Sequence, residues 1–249
     1  MDKKRKVIYH SPHRLISLAR DCWAGLLDLI YPPCCLVCNV DSDDYLCAKC
    51  LESIEIITQP VCRRCGLPTE DYTCLECKER DWFFAMARSA AAYDGALRDA
   101  LHIFKYTPQP ALADPLAQLM VRCLRDTRMM GRFDLVVPIP IHSSRMLERG
   151  FNQAEELARR FCGCINAPMN AKVLYKQKKT KHQANLPREQ RLINLNGTFV
   201  VRNADTIKGK RILLVDDVMT TGSTLNEASR VLISAGAREV FAYTLARSL

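Results

Sequence analysis

The chain has 249 residues, enough for one or two domains with a real core, and its 48% hydrophobic and 25% charged residues suit a globular protein. No apolar run approaches the roughly 18 residues a transmembrane helix needs, so no such helix is expected. The formal charge of +9 is uneven: residues 1–85 carry 11 Lys and Arg against 13 Asp and Glu, whereas 86–249 carry 25 against 14. That asymmetry points to an anionic partner for the second part, a phosphorylated small molecule or a nucleic acid, beside the plainer account of a solvated basic surface.

The first segment, residues 1–33, opens with Lys3-Lys4-Arg5-Lys6, read as a solvated tail. From Pro12 to Ile30 the residues Ile16, Ala19, Trp23, Leu26, Leu27 and Ile30 recur at helical spacing. The pattern predicts a helix docked on the protein; an interfacial membrane helix is the weaker alternative, because its polar face is not markedly basic. Pro32-Pro33 stops it. The location expected is cytoplasmic, with a peripheral membrane contact left open by that helix.

Residues 34–80 form a second segment. Eight of the 13 cysteines make four C-x-x-C pairs: Cys35/Cys38, Cys47/Cys50, Cys62/Cys65 and Cys74/Cys77. Each pair places two thiolates on one side of a tight turn, and two such turns close a tetrahedral site around zinc. A disulfide framework does not favour repeated two-residue spacing. The eight-residue gap between Cys38 and Cys47 returns between Cys65 and Cys74, which favours pairing first with second and third with fourth over an interleaved arrangement. Two structural Zn²⁺ ions are expected, with no ligand position left for water.

The composition changes over Asp81–Ala92, which places a boundary near residues 80–85 and starts the third segment, residues 86–249. Tyr93-Asp94-Gly95 predicts a turn, Leu97–Lys105 a helix and Leu112–Met130 a second helix. Leu135–Ile139 reads as a strand feeding a loop that carries Arg145 and Arg149, and a further helix runs through Phe161. In an open α/β sheet, ligands sit outside the carboxyl ends of the strands, so these two arginines are placed for a pyrophosphate, and with Lys105 they are the candidate catalytic residues. Tyr175–Arg191 has the polarity of a loop; Lys178, Lys179, Lys181, Gln183 and Arg191 are its candidates for closing over a bound anion, against the simpler reading of a surface loop. Thr198–Arg202 predicts a strand.

Ile212–Thr224 reads Ile-Leu-Leu-Val-Asp-Asp-Val-Met-Thr-Thr-Gly-Ser-Thr. Four apolar residues predict a buried parallel strand that ends in two acids, followed by a loop of hydroxyl residues and a helix from Leu225 to Ala235. Thr220, Thr221, Gly222, Ser223 and Thr224 offer backbone N–H groups at a helix N-terminus, where an anion is favoured. Asp216 and Asp217 are placed to accept hydrogen bonds from a diol on the same ligand. Glu239–Leu245 predicts the last strand.

These thirteen residues resemble the signature of the type I phosphoribosyltransferases. The resemblance implies that the loop holds the 5-phosphate of phosphoribosyl pyrophosphate (PRPP), that the acids hold its 2- and 3-hydroxyls, and that Mg²⁺ accompanies it. It also implies a doubly wound parallel sheet. Val-Pro-Ile-Pro from Val137, Arg145, then Arg-Gly-Phe-Asn-Gln-Ala-Glu from Arg149, with the cysteine pairs before and Gln183, Leu186, Arg191 and Asn194 after, resemble the ComF family, whose phosphoribosyltransferase-like proteins are tied to DNA uptake in competent bacteria. That implies either pentosyl transfer from PRPP to an unidentified acceptor, or a single-stranded-DNA-handling factor that keeps PRPP as a regulatory ligand. Single-stranded DNA and DNA-translocation proteins are the partners it implies. Lys176–Lys181 departs from the family pattern in being richer in Lys.

Overall fold

A computed structural model of the chain describes residues 34–106, 110–124, 129–177 and 197–249. The expected N-terminal tail and helix, and the loop residues Lys178, Lys179, Lys181, Gln183, Leu186, Arg191 and Asn194, lie outside the described residues.

The cysteine segment carries two one-turn helices, α1 (Ala48–Glu52) and α2 (Leu75–Glu79), which start directly after Cys47 and Cys74. The chain continues through β1 (Met86–Ala92), α3 (Gly95–Tyr106), α4 (Ala113–Cys123), β2 (Leu135–Pro138), α5 (Ser143–Arg149) and α6 (Gln153–Ile165). Then come β3 (Leu174–Lys176), β4 (Phe199–Val201), β5 (Arg211–Met219), α7 (Ser223–Ser234) and β6 (Glu239–Arg247). Four strands form one sheet in the order β1-β6-β5-β2, every pairing parallel, and β3 and β4 pair antiparallel in a small second sheet.

Side chains alternate faces along a strand, and β5 divides accordingly. Leu213 and Val215 enter a core shared with α3, α4 and α6, whereas Ile212 and Leu214 enter a second core beneath α7. Helices on both faces bury the sheet twice, as an all-parallel sheet requires, and all four residues are fully buried. The cysteine segment joins both cores. Cys35, Leu46, Cys50 and Ile54 pack on the α3/α4 face, while Cys62, Cys65, Cys74, Trp82 and Phe84 pack on the α7 face. Between them the backbone of Glu55–Ile57 runs along the free edge of β1, with Ile57 N donating to Ala90 O at 3.0 Å and Ala92 N to Glu55 O at 2.8 Å. The other edge is closed by Val136, whose N–H donates to Pro168 O and whose carbonyl accepts from Asn170 N, each at 2.9 Å.

Several elements differ from the sequence expectation. The composition change before Tyr93 hides β1, a strand of mostly small residues with all seven positions buried. The helix expected to reach Met130 ends at Cys123, and Met129 and Met130 sit in a turn. The stretch read as a loop from Tyr175 begins in β3, held by Arg202 N to Val173 O and Gln177 N to Thr198 O. The signature strand does not end at the acids: pairing of Asp216 with Thr244, Val218 with Ala246 and Met219 with Arg247 carries β5 through both. Among the described residues no helix is long and apolar enough to cross a membrane.

Candidate functional site

The carboxyl ends of β5 and β2, the end of α3 and the start of α6 surround a cavity of about 370 Å³. It is lined by seven of the residues singled out in the sequence, Lys105, Arg145, Arg149, Asp216, Asp217, Thr220 and Thr224. Tyr93, Ile141, Gln153 and Lys176 join them.

Lys105 lies in the last turn of α3 with its ammonium 2.7 Å from Asp217 Oδ2, both side chains about one-fifth exposed. Burial pushes Asp217 up, but the Lys105 charge outweighs it and holds the carboxyl below the usual carboxylate range. Asp216 goes the other way: burial first, then the adjacent Asp217 charge, push it well above that range. The two acids therefore divide into an ionised Asp217 and an Asp216 that retains its proton more readily. Burial and the nearby Arg145 lower Lys176, which stands over the Phe199 ring at 5.7 Å.

The Arg149–Gln153 block resolves residue by residue. Arg149 NH1 donates to Gln153 Oε1 at 3.0 Å, and its guanidinium lies 5.7 Å from the Tyr106 ring centre. Gly150 takes φ +79 to end α5, the left-handed conformation glycine adopts without a Cβ penalty. Phe151 packs on Phe104 at 5.4 Å between ring centres. Asn152 caps α6 by accepting from Ala154 N at 3.2 Å and donates to Ile139 O at 3.0 Å, fixing that helix to the end of β2. Among the described residues, Arg149 Nε and Gln153 Nε2 are buried without a hydrogen-bond partner, which leaves donor capacity at the cavity wall.

The loop after β5 turns at Gly222, φ +70, with Thr221 Oγ1 2.9 Å from Ser223 Oγ. Ser223 and Thr224 stand in the first turn of α7 rather than before it. Thr220 and Thr224 reach the cavity; Gly222 and Ser223 are buried against the protein. There they meet groups that the sequence reading did not pick out. Arg80 NH1 donates to Thr221 O at 3.3 Å and NH2 to Ser223 Oγ at 3.4 Å, and Phe83 N donates to Asn226 Oδ1 at 2.7 Å.

The cysteines gather as two sequential quartets, Cys35/Cys38/Cys47/Cys50 and Cys62/Cys65/Cys74/Cys77, each with its sulfur atoms within 4.8 Å of one another. Cys38 and Cys47 Sγ are 3.7 Å apart and Cys65 and Cys74 Sγ 3.5 Å. A tetrahedron with Zn–S bonds of about 2.3 Å spaces its sulfurs by roughly 3.8 Å, so the quartets fit zinc, and they are too open for disulfides of about 2.05 Å.

A family model described as a phosphoribosyl transferase domain matches residues 104–249, and one described as a double zinc ribbon domain matches 26–79. Competence protein F of Haemophilus influenzae is 32% identical over 149 residues, covering 58% of this chain and 65% of that protein. DNA utilization protein YhgH of Salmonella typhimurium is 30% identical over 164 residues, 65% of this chain and 71% of its own length. Competence protein ComFC of Bacillus subtilis is 30% identical over 162 residues, 65% of this chain and 64% of its own. The match thus spans just under two thirds of the Haemophilus and Bacillus proteins.

Proposed function

The chain belongs to the phosphoribosyltransferase-domain family, among the ComF and YhgH proteins with a double zinc ribbon, and from that membership we propose that it binds Mg²⁺-PRPP and transfers its phosphoribosyl group to an acceptor in support of DNA uptake. The observation that carries the reading is one cavity joining the acid pair, the hydroxyl loop and four cations, Lys105, Arg145, Arg149 and Lys176. Each matches one part of PRPP.

The loop N–H groups at the start of α7, with Thr220 and Thr224, hold the 5-phosphate. Asp216 and Asp217 accept from the ribose diol, and charge-assisted bonds of that kind are about twice as strong as neutral ones. Because Lys105 already occupies Asp217, the diol displaces that ion pair, and the freed ammonium stays beside the negative ligand. Arg145 and Arg149 take the pyrophosphate; Gln153 sets the Arg149 fork. Bound with PRPP near Asp216 and Asp217, Mg²⁺ would supply charge neutralisation for the departing pyrophosphate. The cysteine quartets, saturated with thiolates, take no part in that step. Eight thiol ligands fit a reducing, cytoplasmic setting.

Calorimetry with Mg²⁺-PRPP, followed by a screen for pyrophosphate release against bases, amines and single-stranded DNA, tests the proposal. Absence of PRPP binding to metal-loaded protein overturns it. Binding without release under any acceptor overturns transfer and leaves PRPP a regulatory ligand of a DNA-handling protein, the second reading.

A further inference from the structure

The hydroxyl loop is supported from below by the cysteine segment, although the two stand some 140 residues apart in the chain. Trp82, 9% exposed, lies against Gly222: a Cβ there would stand 3.0 Å from the indole Cζ3 and 2.7 Å from Met219 Cε. Arg80 stacks on the same indole, 4.1 Å from the ring centre, while its guanidinium holds Thr221 O and Ser223 Oγ. Arg80 follows α2 directly and Trp82 two residues later, and that helix begins after Cys74 and carries Cys77 as its third residue.

A second connection runs through the end of β6. Arg247, 2% exposed, donates from NH1 to Cys65 O at 2.6 Å and to Met219 Sδ at 3.1 Å, and its NH2 lies 3.6 Å from Cys65 Sγ. Among the described residues no carboxylate pairs with it. A buried cation without a counter-charge is costly. Four thiolates around one divalent ion carry a net charge of minus two, so the filled second quartet supplies that counter-charge. If the quartet emptied to neutral thiols, Arg247 would lose it, and Met219, whose terminal methyl touches the loop glycine, would lose a fixed neighbour. Among the described residues the first quartet has no such path to the loop, because it packs on the opposite face of the sheet.

We propose that the metal-filled second quartet, acting through Arg247, Trp82 and Arg80 as positioning residues, holds the Thr220–Thr224 loop in its anion-binding shape, and that the first quartet does not. The two sites are then coupled, and coupling is reciprocal: a ligand in the loop tightens the metal as much as the metal tightens the ligand. Only the identity of the ligand rests on the function proposed above.

The experiment uses the full chain with both metals bound. Cys47→Ser and Cys74→Ser, each expected to retain one ion, assign chelator-driven metal release to the two quartets. Mg²⁺-PRPP is expected to slow release from the second quartet by about 5- to 150-fold, the usual range of such coupling, and to leave the first unchanged. Arg80→Ala should keep both ions and lose most of the slowing. If PRPP binds yet slows neither ion, or slows both alike, the coupling is absent. A second arm needs no ligand: hydrogen exchange at residues 220–226 should rise in Cys74→Ser and Arg80→Ala and stay unchanged in Cys47→Ser. If Cys74→Ser does not fold, Arg80→Ala alone decides, and unchanged exchange there overturns the inference. Failure of PRPP to bind, with exchange as expected, would overturn the ligand while sparing the coupling.

Discussion

Gly222→Ala isolates how tightly the hydroxyl loop is built. At φ +70 any side chain pays the left-handed penalty, about 1–2 kcal/mol. Alanine also brings a Cβ to 2.7 Å from Met219 Cε and 3.0 Å from Trp82 Cζ3. A methionine terminus usually swings aside at little cost, but Met219 is 1% exposed and its sulfur is held by Arg247, so moving it off its rotamer adds about 0.5–1.5 kcal/mol. Gly209→Ala is the control, because Gly209 has φ +71 and nothing within 4 Å of the added Cβ. It should carry the left-handed penalty alone. Differential scanning calorimetry should show Gly222→Ala melting about 2–4 °C below Gly209→Ala for each extra kcal/mol. Where the loop yields instead, the strain appears as weaker Mg²⁺-PRPP binding, about five-fold per kcal/mol in titration calorimetry. Equal melting temperatures and equal affinities for the two variants would refute the close packing of Trp82 and Met219 beneath the loop.

The pH dependence should follow Asp216. Its raised folded pKa means that its contribution to stability is present at low pH and is lost as pH rises through that pKa, whereas the diol needs the ionised acid, so PRPP affinity should climb over the same range. Asp216→Asn should flatten both profiles, and Asp216→Asn with Asp217→Asn should abolish PRPP binding in a folded protein, read by calorimetry beside circular dichroism. Purified protein should hold two zinc ions, and cobalt substitution should give the absorption of sulfur-only tetrahedral sites; one ion per chain would contradict the two quartets. If Lys178, Lys179, Lys181 and a neighbour track a single strand of DNA, log affinity against log salt should fall with a slope of about −3, from roughly −0.7 per phosphate. The three lysines changed to Ala should remove most of that slope, and binding indifferent to them would leave the basic surface merely solvated.

The parts legible in the sequence were those whose chemistry is local. Ile212–Val215 announced a strand buried on both faces because the apolar run was unbroken, and the C-x-x-C spacing announced the quartets because two thiolates on one turn need no distant partner. β1 escaped because Met-Ala-Arg-Ser-Ala-Ala-Ala has none of the β-branched or aromatic residues that mark a strand; it is a strand because β6 and Glu55–Ile57 flank it. The acids seemed to end β5 because charge usually ends a buried strand, yet the backbone keeps pairing with β6 while the carboxylates turn toward the cavity and Lys105. Lys176 was hidden among neighbouring lysines whose pattern distinguishes no member, and only its place on β3 separates it. Arg80 and Trp82 gave no signal, since their contacts with Thr221, Gly222 and Ser223 depend on tertiary proximity across some 140 residues.

The backbone of Glu55–Ile57 lies along β1 between the two cysteine quartets, so the metals also anchor the strip that shields the sheet's margin. A bared parallel edge offers unpaired N–H and C=O groups to any extended chain. Protein stripped of metal should therefore disappear from solution through chain-to-chain association before its helices melt, and at a rate that grows with concentration. With the margin shielded at β1 and closed by Pro168–Asn170 at β2, the described residues of the four-stranded sheet leave little bare edge to which a partner could add a strand, which favours recognition through side chains on its faces and rims.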